Sequence, residues 1–359
     1  MLNIYFPGPP LHWKHGLAIA RKLRILYKPN EVIYYLNVKK FEISFSLLIG
    51  VRLSKMILEK VSSNLPILFY SGYGGKEIIL DNKIDIVHTI VQHVGKLIKY
   101  NKPTLYELDI SPIEYFHFYE GIPIPKLMSL YKYFRNLFKD QRNLFVAWQP
   151  SSVYLVRKLG FDESKINYVP PPIPLIERNK EVSNEEPTIL FVGYDYYLKG
   201  GDTALKAFEI INKEIPKSKL LFISKNKPQE KFNNVIYIGT IDNEILKKEI
   251  LPSVDIFLCP FRFKRPSGMS ILETFSAGVP VISTYHPLLE DYVIDGFNGY
   301  SVEEYNAKNF AEKAIELLQD KNKLKNMSKN AIKYINDNYS PKYVSSKLFK
   351  LYKYLIENK

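Results

Sequence analysis

The stretch 262–301, RFKRPSGMSILETFSAGVPVISTYHPLLEDYVIDGFNGYS, decides the reading of this chain. It reads as a strand end, a polar loop, a short helix, a glycine turn, a buried strand, a second helix and a glycine-rich turn. Ser267 and Gly268 stand just before a helical run predicted over 269–277, and Gly278 stops it. Serine is a good N-cap, and glycine adopts the left-handed conformation that follows many helix C-termini. The free N–H groups of such a helix start point outward, and the helix dipole favours negative charge there. Glu273 falls on the second turn, flanked by Ile271, Leu272 and Phe275. A carboxylate at that place accepts hydrogen bonds from a diol while the amides hold a phosphate.

Working outward, strand-like and helical runs alternate, which predicts α/β architecture with parallel sheets. In the first half, strands are expected over 2–6, 31–38, 67–70, 85–87, 104–108, 144–147 and 166–169, and helices over 15–23 and 45–61. The pattern restarts with strands at 188–192, 220–223, 235–238, 256–259 and 279–283. The proline cluster 170–174 and the polar tract 177–186 read as a linker. The expected domains are thus 1–174 and 187–340, with a final helical segment, 341–359, crossing back to the first.

Length and composition fit this division. A chain of 359 residues, 46% hydrophobic and 24% charged, suits two globular domains with proper cores. A single cysteine, Cys259 in the apolar run IFLCPF, excludes an internal disulfide. The N-terminal sequence lacks the charged and apolar regions of a signal peptide, and no apolar run approaches the ~18 residues of a membrane span. A cytoplasmic protein is expected, peripheral on the cytoplasmic face of a membrane if it meets one. The net charge of +13 is lopsided. Residues 1–170 hold 23 Lys and Arg against 13 Asp and Glu; residues 171–359 hold 27 against 24. A basic half invites an anionic partner, although a lysine-rich surface also serves solubility alone.

The motif of the opening stretch resembles the donor site of family-4 retaining glycosyltransferases, which have the GT-B fold of two Rossmann-like domains facing across a cleft. Gly268, Leu272, Glu273, Ala277, Gly278, Pro280, Val281 and Ile282 fall in register with that family's pattern, as do Glu290 and the turn DGFNG at 295–299. The family's first glutamate is replaced by Arg265. Gly193, Lys199 and Gly200 match a Gly-Arg, four residues, Lys-Gly element, with Tyr194 in the arginine's place. The resemblance covers nearly the whole chain and is strongest over 187–302.

What the resemblance implies is a donor site for a nucleoside diphosphate sugar. Lys199 and the backbone amides of Ser267, Gly268, Met269 and Ser270 would face the diphosphate, and Glu273 the ribose. Arg262 or Arg265 would supply the cation missing at Tyr194, unless they are ordinary rim charges. In the first half, Gly8 lies where the family brings a glycine loop near the phosphates, and a structural turn serves as well. His88, read as the end of the strand IDIVH, and Asp109, at the end of TLYELD, would orient the sugar; a hydrogen-bonded structural histidine is the alternative at 88, and His93 is a weaker candidate. No metal is expected: there is no Asp-x-Asp element of the GT-A kind and no ligand cluster with metal spacing. No cofactor is expected beyond the nucleotide sugar itself. The implied reaction is hexosyl transfer to a glycan, lipid-linked or protein acceptor. The alternative is a catalytically silent GT-B relative that binds a nucleotide or glycan.

Two further readings concern partners. The run 126–142, KLMSLYKYFRNLFKDQR, places Leu127, Leu130, Tyr131, Phe134 and Phe138 on one helical face and Lys132, Arg135, Lys139 and Arg142 towards the other. That form suits either a helix lying on an anionic membrane or one packing on its own sheet with a wet basic back. Nucleic acid is not an expected partner, because no reading motif accompanies the basic residues.

Overall fold

The computed structural model describes residues 2–5, 32–34, 85–91, 99–108, 113, 123–178, 186–226, 230–262, 268–302 and 306–358. The chain divides into two units, one of Met1–Pro172 with Pro341–Lys359, the other Ile173–Ser340.

The first unit is built on a parallel sheet of β1 (Leu2–Tyr5), β2 (Val32–Tyr34), β3 (Ile86–Val91), β4 (Thr104–Leu108), β5 (Asn143–Ala147) and β6 (Ile166–Tyr168), in the order β2-β1-β3-β4-β5-β6. Both β4 and β5 are buried along their whole length, as strands of a sheet covered on two faces must be. Helix α1 (Met128–Lys139) covers one face with Phe134, Leu137 and Phe138, and Phe138 stacks on Phe145 with ring centroids 3.7 Å apart. The apolar stripe expected to choose between sheet and membrane therefore packs on the sheet; Lys132, Arg135 and Lys139 stay exposed, with Met128. Helix α2 (Pro150–Lys158) follows β5.

The second unit restarts the α/β alternation with β7 (Thr188–Val192), α3 (Gly201–Glu214), β8 (Lys219–Ile223), β9 (Val235–Tyr237), β10 (Ile256–Cys259), α4 (Met269–Ser276), β11 (Val281–Thr284), β12 (Gly299–Val302), α5 (Ala307–Gln319) and α6 (Lys321–Tyr339). Its sheet is parallel throughout, in the order β12-β11-β10-β7-β8-β9. Aromatic and aliphatic side chains fill it: Phe191 stacks on Phe222, and α3 and α5 bury Phe208, Ile211, Phe310 and Leu317 against one face. The other face carries α4 and α6 through Leu272, Phe275, Ala331 and Ile335.

The segment read as a linker partly belongs to this unit. Ile173 and Ile176 pack in its core, and the Arg178 guanidinium donates to the carbonyls of Ala277, Gly278 and Val254. A cation on the carbonyls just past the end of α4 suits the negative end of the helix dipole. Residues 179–185 lie outside the described residues.

Helix α7 (Pro341–Glu357) completes the first unit. Val344, Leu348, Tyr352 and Leu355 recur at helical spacing and bury against Ile86, Leu105, Leu144 and Val146. No helix among the described residues is long and apolar enough to cross a membrane.

Candidate functional site

In an open parallel sheet, ligands sit beyond the carboxyl ends of the strands, where the strand order reverses. In the second unit that point lies between β7 and β10: the chain runs outward from β7 through β8 to β9, then returns to the other side of β7 to build β10, β11 and β12. Lys199 and the start of α4 follow these two strands.

Two glycines bring the loops this close. A methyl on Gly193 would lie 2.7 Å from the Lys199 Cβ and 2.6 Å from the Phe191 ring, so the lysine stem rests on the backbone at the end of β7. Gly200 has φ +74°, and a methyl there would meet the Pro260 carbonyl oxygen at 1.7 Å. Only glycine tolerates both the left-handed backbone and that approach. Lys199 is half-buried. Its charge is felt at Cys259, whose thiol is pushed to about 11 by burial while Lys199 pulls the other way.

The loop between them is clamped by Arg262. Its guanidinium takes Asp202 in a two-pronged pair at 2.6 and 2.8 Å, and also donates to Thr203 Oγ1 and the Tyr197 carbonyl. Burial raises the Asp202 pKa, but the Arg262 hydrogen bonds and charge, with backbone N–H groups, outweigh it and hold the carboxyl below its ordinary value. The Arg262 side chain, read as a candidate replacement for the cation missing at 194, is thus committed to ordering this loop. Arg265 and Ser267 lie outside the described residues.

Helix α4 starts one residue later than a serine cap would have it. Its N-cap is Gly268, with φ +71° and no side-chain cap. Among the described residues no side chain caps the first-turn amides of Met269 and Ser270, groups that a helix start leaves open. Gly278, with φ +66°, ends the helical turn by donating to the Phe275 carbonyl.

Glu273 stands one turn in. It accepts from Lys247 Nζ at 2.7 Å and from Asn243 Nδ2 at 3.2 Å on the same oxygen, and its side chain is 18% exposed. Lys247 comes from a π-helical turn, Leu246–Ile250, beyond β9. Neither partner was apparent in the sequence, where the run IDNEILKKEI shows no spacing that ties it to residue 273.

In the first unit the structure corrects the placing of His88. β3 runs on to Val91, so His88 is its third residue rather than its end. The side chain is fully buried, with Nε2 2.7 Å from Glu107 Oε2 and Nδ1 2.7 Å from the Tyr352 hydroxyl. Trp148 Nε1 donates to the other Glu107 oxygen at 2.5 Å. Both ring nitrogens are therefore occupied in a network that ties α7 to the sheet, the structural alternative for this residue. Gly8, His93 and Asp109 lie outside the described residues.

Two Rossmann-like units, each on a parallel sheet, are the architecture of GT-B glycosyltransferases. Over the whole chain the fold matches sucrose-phosphate synthase from Thermosynechococcus elongatus, with a TM-score of 0.65, 15% identity and 100% of each chain covered. Residues 174–334, nearly all of the second unit, match the family model for glycosyl transferases group 1. Poly(glycerol-phosphate) alpha-glucosyltransferase of Bacillus subtilis is 28% identical over 156 residues, which are 41% of this chain and 23% of that one. The uncharacterized glycosyltransferase MJ1178 of Methanocaldococcus jannaschii is 24% identical over 356 residues, 92% of this chain and 91% of its own. The chain spans less than half the length of the first two curated relatives it matches, 23% and 48%.

Proposed function

We propose that the protein is a glycosyltransferase that moves a sugar from a nucleoside diphosphate donor to an acceptor hydroxyl on a glycan, lipid or protein, with retention and without a metal ion. The observation that carries this reading is the grouping of Lys199, the uncapped start of α4 and the Glu273 carboxylate beyond the β7 and β10 strand ends.

The chemistry follows from what each group offers. When the bond from the sugar to the diphosphate breaks, negative charge grows on the phosphate oxygens. In this reading Lys199 and the amides at 268–270 take up that charge, and donors fixed in advance stabilise it without reorganising. The acceptor hydroxyl attacks from the side of the leaving group and gives its proton to a phosphate oxygen. Glu273 accepts from the ribose diol, exchanging its bonds to Asn243 and Lys247 for these.

The membrane contact we assign to the first unit runs through the exposed basic back of α1, namely Lys132, Arg135 and Lys139, and is electrostatic. It does not use the buried stripe.

A thermal-shift screen over nucleoside diphosphates and their sugars, followed by a donor-hydrolysis assay, tests the reading. A ligand that binds only the native state raises the melting temperature by mass action. One diphosphate should shift it, and Glu273→Ala should abolish both the shift and product release. Binding with no turnover in any acceptor mixture would instead support a silent nucleotide-binding protein.

A further inference from the structure

The sheet edge of the second unit carries another ammonium group on the far side of β7. In the sheet, β10 flanks β7 on one side and β8 on the other. Lys199 lies on the β10 side, because Gly200, the next residue, approaches the Pro260 carbonyl just past β10. On the β8 side, Lys225 follows two residues after Ile223, the last of that strand, and its Nζ stands 5.7 Å from the centroid of the Tyr194 ring. Tyr194 directly follows Gly193 and is 70% exposed.

Among the described residues Lys225 makes no ion pair, whereas Arg262 is held by Asp202 and Lys247 by Glu273. An ammonium over an aromatic face is attracted by the ring quadrupole while its N–H groups still point to solvent. The ring therefore restricts a flexible side chain without neutralising it.

We propose that Lys225, seated on Tyr194, is the second cation for the donor's diphosphate, facing Lys199 across the end of β7. The proposal rests on the nucleotide-sugar reading of this site. Lys199 rests on the end of β7 and Lys225 follows the adjoining strand β8, one strand spacing of about 5 Å away, a distance over which two flexible lysine side chains can reach adjacent phosphates. The arrangement also accounts for the tyrosine at 194: the cation that the resemblance places on that residue is supplied from the next strand, and the tyrosine serves as its rest.

The test uses the full chain and isothermal titration with UDP, GDP and ADP, and with the nucleoside of whichever diphosphate binds. Lys225→Met should weaken the diphosphate by about tenfold or more, the loss of one charge-assisted contact, and leave the nucleoside within about twofold. The salt dependence of diphosphate binding should become shallower. Lys225→Arg should bind within about threefold of the parent. Tyr194→Phe, which keeps the ring, should bind like the parent, and Tyr194→Leu should fall between the parent and Lys225→Met. Lys225 is exposed, so its variants should keep the parent melting temperature. If Lys225→Met binds the diphosphate as the parent does while Lys199→Met loses it, this inference is overturned and the donor site stands. If the parent binds none of the three diphosphates, the donor reading itself fails.

Discussion

The ring of Tyr292 occupies the space that a side chain at position 268 would need: a methyl on Gly268 would lie 2.5 Å from the ring's Cε2. Tyr292 is fixed in turn by the glycine-rich turn, where Asn298 donates to the Tyr292 carbonyl and accepts from the Ile294 N–H. Gly299 packs against β11 so closely that a methyl there would meet the Val281 carbonyl at 2.2 Å. A motif some 30 residues downstream of the helix start thus sets the wall against which that start is built.

Gly268→Ala should therefore damage the fold and the site together. An alanine must hold a left-handed backbone and displace a buried ring, at a combined cost of about 3 kcal/mol. Denaturant unfolding should show that loss, and diphosphate affinity should fall with it. A variant with parent stability and parent affinity would refute the account of Tyr292 as the wall.

Arg262 makes a separate prediction about the neighbouring loop. Arg262→Lys keeps the charge and loses the fork that grips Asp202, Thr203 and the Tyr197 carbonyl together. Both charged side chains are partly solvated, at 20% and 36% exposure, so the stability loss should be modest, about 1 kcal/mol. Loop order should suffer more. Limited proteolysis within 194–200 should become faster, and an unchanged cleavage rate would count against the clamp.

A good part of this was legible in the sequence, for physical reasons. β7 and β10 are continuous apolar runs bounded by Pro187, Asp255 and Pro260, so their limits at 188–192 and 256–259 could be read directly. β11 begins two residues after its apolar run does, because Val279 and Pro280 still belong to the turn that leaves α4. Helix α4 was visible through Gly268 and Gly278. The partners of its residues were not, since pairing across a fold leaves no local trace. His88 meets Tyr352 264 positions away, Arg262 meets Asp202 at 60, and Glu273 meets Asn243 at 30. Asp202 could have been suspected from its place in the first turn of α3, where a carboxylate suits the dipole, but nothing there names an arginine.

Acid should expose a third relationship, beside the edge strand β12 of the second unit. Glu316 accepts from Lys323, from the Tyr300 hydroxyl and from Lys313. The Lys323 hydrogen bond, against some desolvation and with help from Tyr300 and Lys313, lowers the Glu316 pKa from 4.5 to about 2. A carboxyl whose folded pKa is depressed adds stability that is complete above its unfolded value and vanishes as pH falls through the folded one. The contribution should thus be whole above about pH 5 and fade between about pH 4.5 and 2. Glu316→Gln should melt lower than the parent at neutral pH, and the two melting curves should converge in that acid window. Parallel curves down to the lowest pH would mean that the network adds nothing.

The basic back of α1 separates two ways of meeting a bilayer. Insertion needs the apolar stripe, and Phe134, Leu137 and Phe138 are buried at 0–2% exposure, so inserting them would cost the unit its core. Surface attraction needs only Lys132, Arg135 and Lys139, which already face solvent. Each basic residue near an anionic surface contributes about 1 kcal/mol, so removing all three should weaken vesicle binding by about 3 kcal/mol, or roughly a hundredfold. Flotation with phosphatidylserine vesicles should show binding by the parent that fades as salt rises, and none to neutral phosphatidylcholine vesicles. The triple variant Lys132→Gln, Arg135→Gln, Lys139→Gln should stay in solution at the same melting temperature. Because charge alone is removed, retained binding by that variant would move the contact off this helix, and equal binding to neutral vesicles would replace attraction with insertion as the mechanism.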